Sequence, residues 1–172
     1  LKEIGVENIT IKVNHRGIFN AFLAKLGLSE KSEDILRIVD KLAKIGQEQV
    51  TVQLNEVTQD EGKSKYILTF IAGKDDFDST LELIGSMAGE DALPFVQRMK
   101  DIRQMMIASG IESTYVLDPS ITRGLDYYTG VVYETFLNDL PSIGSVCSGG
   151  RYDNLAGLYM KEKISGVGSS IG

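Results

Sequence analysis

The sequence predicts an α+β fold in which a sheet is interrupted by an inserted all-helical subdomain, and three observations predict it. Residues near the N-terminus alternate apolar and polar with a period of two, residues 29 to 111 carry apolar side chains at helical spacing, and the two-residue period returns after Ile111. Short connections between the later strands favour antiparallel pairing, because a parallel crossover needs about a dozen residues or more.

In chain order, Asn8 to Val13 puts Ile9, Ile11 and Val13 on one face and Thr10 and Lys12 on the other, as in a half-buried strand. Arg16 to Leu26 follows as a helix on Phe19, Phe22, Leu23 and Leu26, closed by Gly27. His15, the one histidine, falls at the joint and reads as a turn or capping residue. Ser32 reads as the N-cap of a helix with Ile35, Leu36, Val39, Leu42 and Ile45 in a stripe, ended by Gly46. Gln47 to Glu61 suits either a short strand or a weak helix.

Ser64 to Ala72 and Asp78 to Met87 predict two short helices. A longer one runs from Glu90 to Ser109, with Pro94 tolerable in its first turn and Gly110 closing it. Met99, Ile102, Met105 and Met106 read as core packing. Strands are expected at Ser113 to Leu117, Gly130 to Leu137, Gly144 to Ser148 and Gly166 to Ile171, with one short helix from Tyr152 to Tyr159.

Of 172 residues, 42% are apolar and 24% charged, so the chain can build a core. No apolar run approaches the roughly 20 residues that cross a bilayer. A single cysteine, Cys147, cannot close an internal disulfide, the N-terminus lacks a signal peptide's pattern, and a reducing cytoplasm is expected. The net charge of −6 argues against nucleic-acid binding through a general basic field, leaving only local contacts. Leu1 and the Gly-Ser-rich run ending at Gly172 read as cuts in a longer protein, with a processed terminus as the alternative.

Two segments carry residue types that structure alone does not need. Thr122-Arg123-Gly124-Leu125-Asp126-Tyr127-Tyr128-Thr129-Gly130 sets an arginine, an acid and two tyrosines between glycines before a strand. Cys147-Ser148-Gly149-Gly150-Arg151-Tyr152-Asp153-Asn154-Leu155 reads as a strand end, two glycines that let a ligand approach, and a helix start with free N–H groups. Each is weak alone: the first could hold an Arg123–Asp126 salt bridge, and the second could be a plain turn. Cys147 has no histidine to activate it and reads as a buried small residue at the strand end. No His and Cys spacing suits a metal.

Together and in this order, Arg123 to Gly130 and Gly149 to Leu155 resemble the two signatures of the histidyl-tRNA synthetases among class II aminoacyl-tRNA synthetases. Leu117 to Gly172 also resembles the family in spacing. Ile9 to Gly17 looks, more loosely, like the strand and helix that precede the family's insertion domain. The resemblance implies part of the class II antiparallel sheet in two core segments, 1–28 and 112–172, with a helical insertion domain at 29–111. It also implies activation of histidine with ATP and transfer to tRNA(His).

The resemblance makes Arg123 the catalytic and ATP-binding residue, its guanidinium gripping a carboxylate and an α-phosphate oxygen. It assigns Tyr128 and Tyr152 to the imidazole of histidine, with Gly149 and Gly150 bordering the pocket. Tyr127 reads as buried packing, and Arg151 and Asp153 as candidates either for the site or for bracing the helix. Magnesium is expected with ATP, its ligands mostly elsewhere. Lys41, Lys44, Lys63, Lys65 and Lys74 are candidates for the tRNA acceptor stem or simply a solvated surface, and the parent is expected to be a homodimer.

The family's dimer motif and the arginine motif that holds ATP are not in this sequence, and the third motif starts at Gly166 without its arginine. The chain alone is therefore expected to be inactive. The rival reading is a non-catalytic relative, such as an ATP phosphoribosyltransferase regulatory subunit or a stress-kinase module, or a plain α+β interaction domain. Retention of both signatures favours the enzyme.

Overall fold

The computed structural model describes residues 5–123, 127–158 and 164–171. Five strands form one sheet in the order β2-β1-β3-β4-β5: β1 is Ile9–His15, β2 Tyr115–Leu117, β3 Val131–Leu137, β4 Ser145–Tyr152 and β5 Gly166–Ile171. The β3–β4 and β4–β5 pairs are antiparallel, as expected for successive strands, and β1–β3 is antiparallel too although the whole helical block separates those strands in sequence. The sheet is nonetheless mixed, because β2 runs parallel to β1 with Ile11 opposite Tyr115. The helical block supplies the long crossover that a parallel pair needs.

Helix α1, Arg16–Lys25, begins where His15 accepts a 3.0 Å hydrogen bond from Gly17 N through Nδ1, the capping role the sequence indicates. The 32–45 segment differs from the expected single helix. A 3-10 turn at Ser29–Lys31 leads directly into α2, Ser32–Val39, so Ser32 is helical and caps nothing. The chain breaks at Asp40 and resumes as α3, Leu42–Thr58, kinked at Gly46, whose φ of 79° no helix accommodates. Residues 47 to 58 are thus helical. Val50 and Leu54, one turn apart, are fully buried, while Val52, which a strand would put on their face, is 52% exposed.

Helix α4 is Glu61–Ala72 and α5 is Phe77–Ala88. The first starts at Glu61 rather than Ser64 and the second at Phe77 rather than Asp78, because Asp60 and Asp76 cap them by accepting from Lys63 N and Ser79 N. Helix α6, Leu93–Ala108, carries Pro94 in its first turn as expected. Met99 and Met106 are buried, but Met105 is 65% exposed and leaves the predicted stripe. Strand β4 runs through Gly149 and Gly150 to Tyr152, so these glycines are strand residues rather than a turn. The helix expected from Tyr152 is a four-residue 3-10 turn, Leu155–Leu158; Tyr159 lies outside the described residues.

One hydrophobic cluster joins sheet and helices: Val13 and Leu117 from the strands meet Phe19 and Phe22 of α1 and Ile84 of α5. Phe22 stacks on Phe70 of α4 with ring centroids 4.3 Å apart. Burying each such ring contributes about 1.5–3 kcal/mol. Gly17 has no Cβ to meet the Phe95 ring, which would lie 2.7 Å away, so α6 packs directly onto the start of α1. Along β1 and β3, Ile11, Val13, Val131 and Tyr133 face this core. Alternate residues, Lys12, Asn14 and Glu134, face the opposite side.

Candidate functional site

That opposite face is where the sequence-predicted residues collect. Gly150 pairs with Val132 and Tyr152 pairs with Gly166, which puts all four on the same side as Glu134. A Cβ on Gly150 would come within 2.7 Å of the Tyr128 ring, so Tyr128 lies flat over β4 at this point. A Cβ on Gly166 would come within 2.3 Å of the Tyr152 ring, and one on Gly168 within 3.3 Å. Glycines at 150, 166 and 168 therefore make the floor on which two phenol rings rest.

Tyr127 joins them. Its ring lies 4.5 Å from that of Tyr128 and meets Tyr152 edge-on at 5.9 Å. The expectation of a buried Tyr127 fails: it is 36% exposed, whereas Tyr128 is 6% exposed. The loop is not a regular strand here, so neighbouring side chains need not point to opposite sides. Burial, then the hydrogen bond that its hydroxyl donates to Tyr127, pushes the Tyr128 phenol up to about 12. At neutral pH it is an uncharged group able to donate and accept.

Arg123 reaches the same face. Its Nη1 donates to Glu134 Oε1 at 2.7 Å, with both side chains mostly shielded. Burial disfavours the charged guanidinium, but the hydrogen bond and charge of Glu134 more than offset it, so the pKa stands above its ordinary value. Arg123 Nε is buried without a partner among the described residues. The backbone of Arg123 has a φ of 48°, a left-handed conformation that costs a non-glycine residue on the order of 1–3 kcal/mol and needs the surroundings to hold it. Gly124 to Asp126 lie outside the described residues, and with them any Arg123–Asp126 pair.

Gly149 differs from expectation: its missing side chain is on the helix-covered face, where a Cβ would meet the Gly168 carbonyl at 2.2 Å and the Tyr133 hydroxyl at 2.6 Å. It allows β4 and β5 to pair closely and faces away from Tyr128 and Tyr152. Cys147 lies within β4, half-buried, not at a strand end. Arg151 and Asp153 brace the turn. Arg151 Nε donates to Asp153 Oδ1 at 3.0 Å, Thr129 Oγ1 donates to Asp153 Oδ2 at 2.8 Å, and Arg151 Nη2 reaches Ser165. Hydrogen bonds from Ser165, then Thr129 and Arg151, hold the Asp153 carboxyl down at about 2.

Sequence reasoning missed Asn14, Arg16 and Glu134. Asn14 and Glu134 share the strand parity of Lys12, a signal available from the alternation; the burial of Arg16 had none. Two cavities lie elsewhere. One of about 580 Å³ runs between α5 and α6, and one of about 530 Å³ lies between α6 and the helix-side face, lined by His15, Phe95, Arg98 and Arg151; neither is lined by Arg123, Tyr128 or Tyr152. Among the described residues no group of three His, Cys, Asp or Glu side chains is placed to hold a metal, and no helix is long and apolar enough to cross a membrane.

A family model described as histidyl-tRNA synthetase matches residues 1–172. The chain is 59% identical over 181 aligned positions to a histidine–tRNA ligase of Treponema denticola, an alignment covering 100% of this chain and 39% of the relative. It superposes on a crystal structure of histidyl-tRNA synthetase from Nostoc sp. PCC 7120 with a TM-score of 0.91 and 31% identity, covering 99% of this chain and 41% of that one. A Bacillus halodurans structure described as an ATP phosphoribosyltransferase regulatory subunit/histidyl-tRNA synthetase gives a TM-score of 0.80 at 19% identity, covering 99% and 44%, a likeness of fold alone. The chain thus spans about two fifths of the length of the relatives it matches.

Proposed function

The chain belongs to the histidyl-tRNA synthetase family, and from that premise we propose that its glycine-floored sheet face is the histidine-reading part of a site that converts histidine and ATP to histidyl-adenylate, with pyrophosphate leaving, and passes the histidyl group to tRNA(His) with release of AMP. The observation that carries the reading is the convergence of Arg123, Tyr128 and Tyr152 on one face. A polar side chain such as imidazole is selected best where both ring nitrogens find partners, because an analogue lacking them leaves buried site groups unpaired. The two phenols supply such partners. Each can donate or accept, and the raised pKa of Tyr128 keeps its proton in place at neutral pH.

Attack of the histidine carboxylate on the α-phosphorus concentrates negative charge on the phosphoryl oxygens, and a fixed guanidinium there stabilises the transition state more than the ground state. Arg123 has the fork for this role. Glu134 orients one arm and leaves Nε without an acceptor among the described residues. Magnesium would enter with the ATP phosphates. Glu134 is already committed to Arg123, so the described residues do not offer a magnesium site and no step is routed through one.

Within this reading, residues 29–111 form an insertion domain whose lysines meet the tRNA acceptor stem, 1–28 and 112–172 belong to the catalytic core, and the parent works as a cytoplasmic homodimer. The test is histidine-dependent exchange of pyrophosphate into ATP. The full-length protein carrying this chain should be active, and the chain alone should stay at background. Arg123→Lys should lower the full-length rate by about 10² to 10³. Tyr128→Phe and Tyr152→Phe should chiefly weaken histidine binding. A full-length protein that binds histidine without forming adenylate would instead place it with the regulatory relatives.

A further inference from the structure

The loop that carries Arg123 is held by two side chains from the other end of the chain. Asn14, 1% exposed, donates through Nδ2 to the carbonyls of Pro119 and Ile121 at 3.2 and 2.9 Å. Its Oδ1 accepts from His15 N at 2.8 Å, which fixes the orientation of the amide. Arg16, 4% exposed, donates through Nη1 to the carbonyls of Thr122 and Arg123 at 2.7 and 2.9 Å. Burying a guanidinium is expensive unless it is well compensated, and here one of its nitrogens bonds two backbone carbonyls of one short loop.

We propose that Asn14 and Arg16 at the β1–α1 joint are positioning residues that set the direction in which Arg123 leaves its loop. The inference rests on the function proposed above. The carbonyl that Arg16 grips is that of Arg123 itself, the residue held in a left-handed backbone conformation. Rotation about that backbone swings the whole side chain, so a bond to the carbonyl fixes the base of the arm while Glu134 fixes its tip. Thr122, fully buried, adds a third anchor by donating to the Leu36 carbonyl of α2. An arm fixed at both ends meets a developing charge without reorganising, and a displacement of about 1 Å at such a group costs on the order of 10² in rate.

The experiment is a double-mutant cycle in the full-length protein, read by histidine-dependent pyrophosphate exchange. Arg16→Lys keeps the charge but lacks the Nη1 nitrogen that bonds both carbonyls. It should lower kcat about 10²-fold and leave KM for histidine within about threefold. In an Arg123→Ala background the same change should matter less than about twofold, since there is no arm left to aim. Asn14→Asp, which keeps the acceptor toward His15 N and removes the two donors, should show the same pattern. Melting temperatures near wild type for either variant accompany the expected result. Equal losses with and without Arg123, an unchanged kcat, or loss of the folded state in both variants would each overturn the proposal. An inactive wild-type protein would instead defeat the functional reading.

Discussion

The two faces of the sheet use the same strands for opposite purposes. On the helix side, Val13 and its neighbours on β1 and β3 join a continuous apolar core, and Gly149 is small because another strand and a tyrosine press against it. On the other side, Lys12, Asn14 and Glu134 sit among glycines at 150, 166 and 168, and aromatic rings rest where side chains would otherwise stand. The difference teaches that the apolar core and the proposed histidine face are separated here by strand parity, a distance of one residue. A substitution should therefore act on folding or on binding according to which face it meets.

The largest expected effect tests the helix side. Phe19→Ala empties a fully buried position and should destabilise the protein by about 3–5 kcal/mol in denaturant titration, while in the full-length protein the KM for histidine expected under the proposed function stays unchanged. A large KM change would blur the separation. On the site face, Gly150→Ala forces a methyl into the Tyr128 ring and the Val131 carbonyl. It should cost about 1–3 kcal/mol and, unlike Phe19→Ala, raise the KM for histidine because Tyr128 is displaced.

A pH experiment isolates the joint between the faces. Burial, then the charges of Arg98 and Arg151, lowers His15 from 6.5 to about 4. The unfolded chain binds the extra proton first, so the stability this residue contributes is complete above about pH 6.5 and is lost as pH falls toward 4. Unfolding free energy should drop by about 2 kcal/mol between pH 7 and pH 5, and His15→Gln should flatten that slope. Asp153 titrates well below this window. The smallest effect belongs to the surface: Lys12 pairs with Asp118 at 2.8 Å but is 36% exposed, so Lys12→Ala should change stability by less than about 1 kcal/mol and activity hardly at all.

Much of this was readable from the residues. The β1 alternation, the His15 cap and the Pro94 helix start are local patterns, and local patterns survive folding. The Asp60 and Asp76 caps were missed because attention to apolar stripes finds the middle of a helix and not its ends. Tyr128 and Tyr152 stand out from their motifs, but the facing of Gly149 depends on where β4 ends, and the Gly149-Gly150 pair reads as the end of a strand although the strand runs on through it to Tyr152. Arg16 was illegible for a deeper reason: an arginine at a helix start is ordinarily solvated, and only a loop more than a hundred positions away in sequence makes it a buried clamp.

The parallel pairing of Ile11 with Tyr115 has a kinetic corollary. Joining those strands closes a loop that contains the whole helical block, and long-range closure is slow unless the intervening chain has already collapsed. The helices should therefore form early and the β1–β2 ladder late, together with the carbonyl contacts made by Asn14 and Arg16. A nascent chain would then acquire the aim of its arginine arm as one of the last events of folding, so that only molecules with a finished helical block present it.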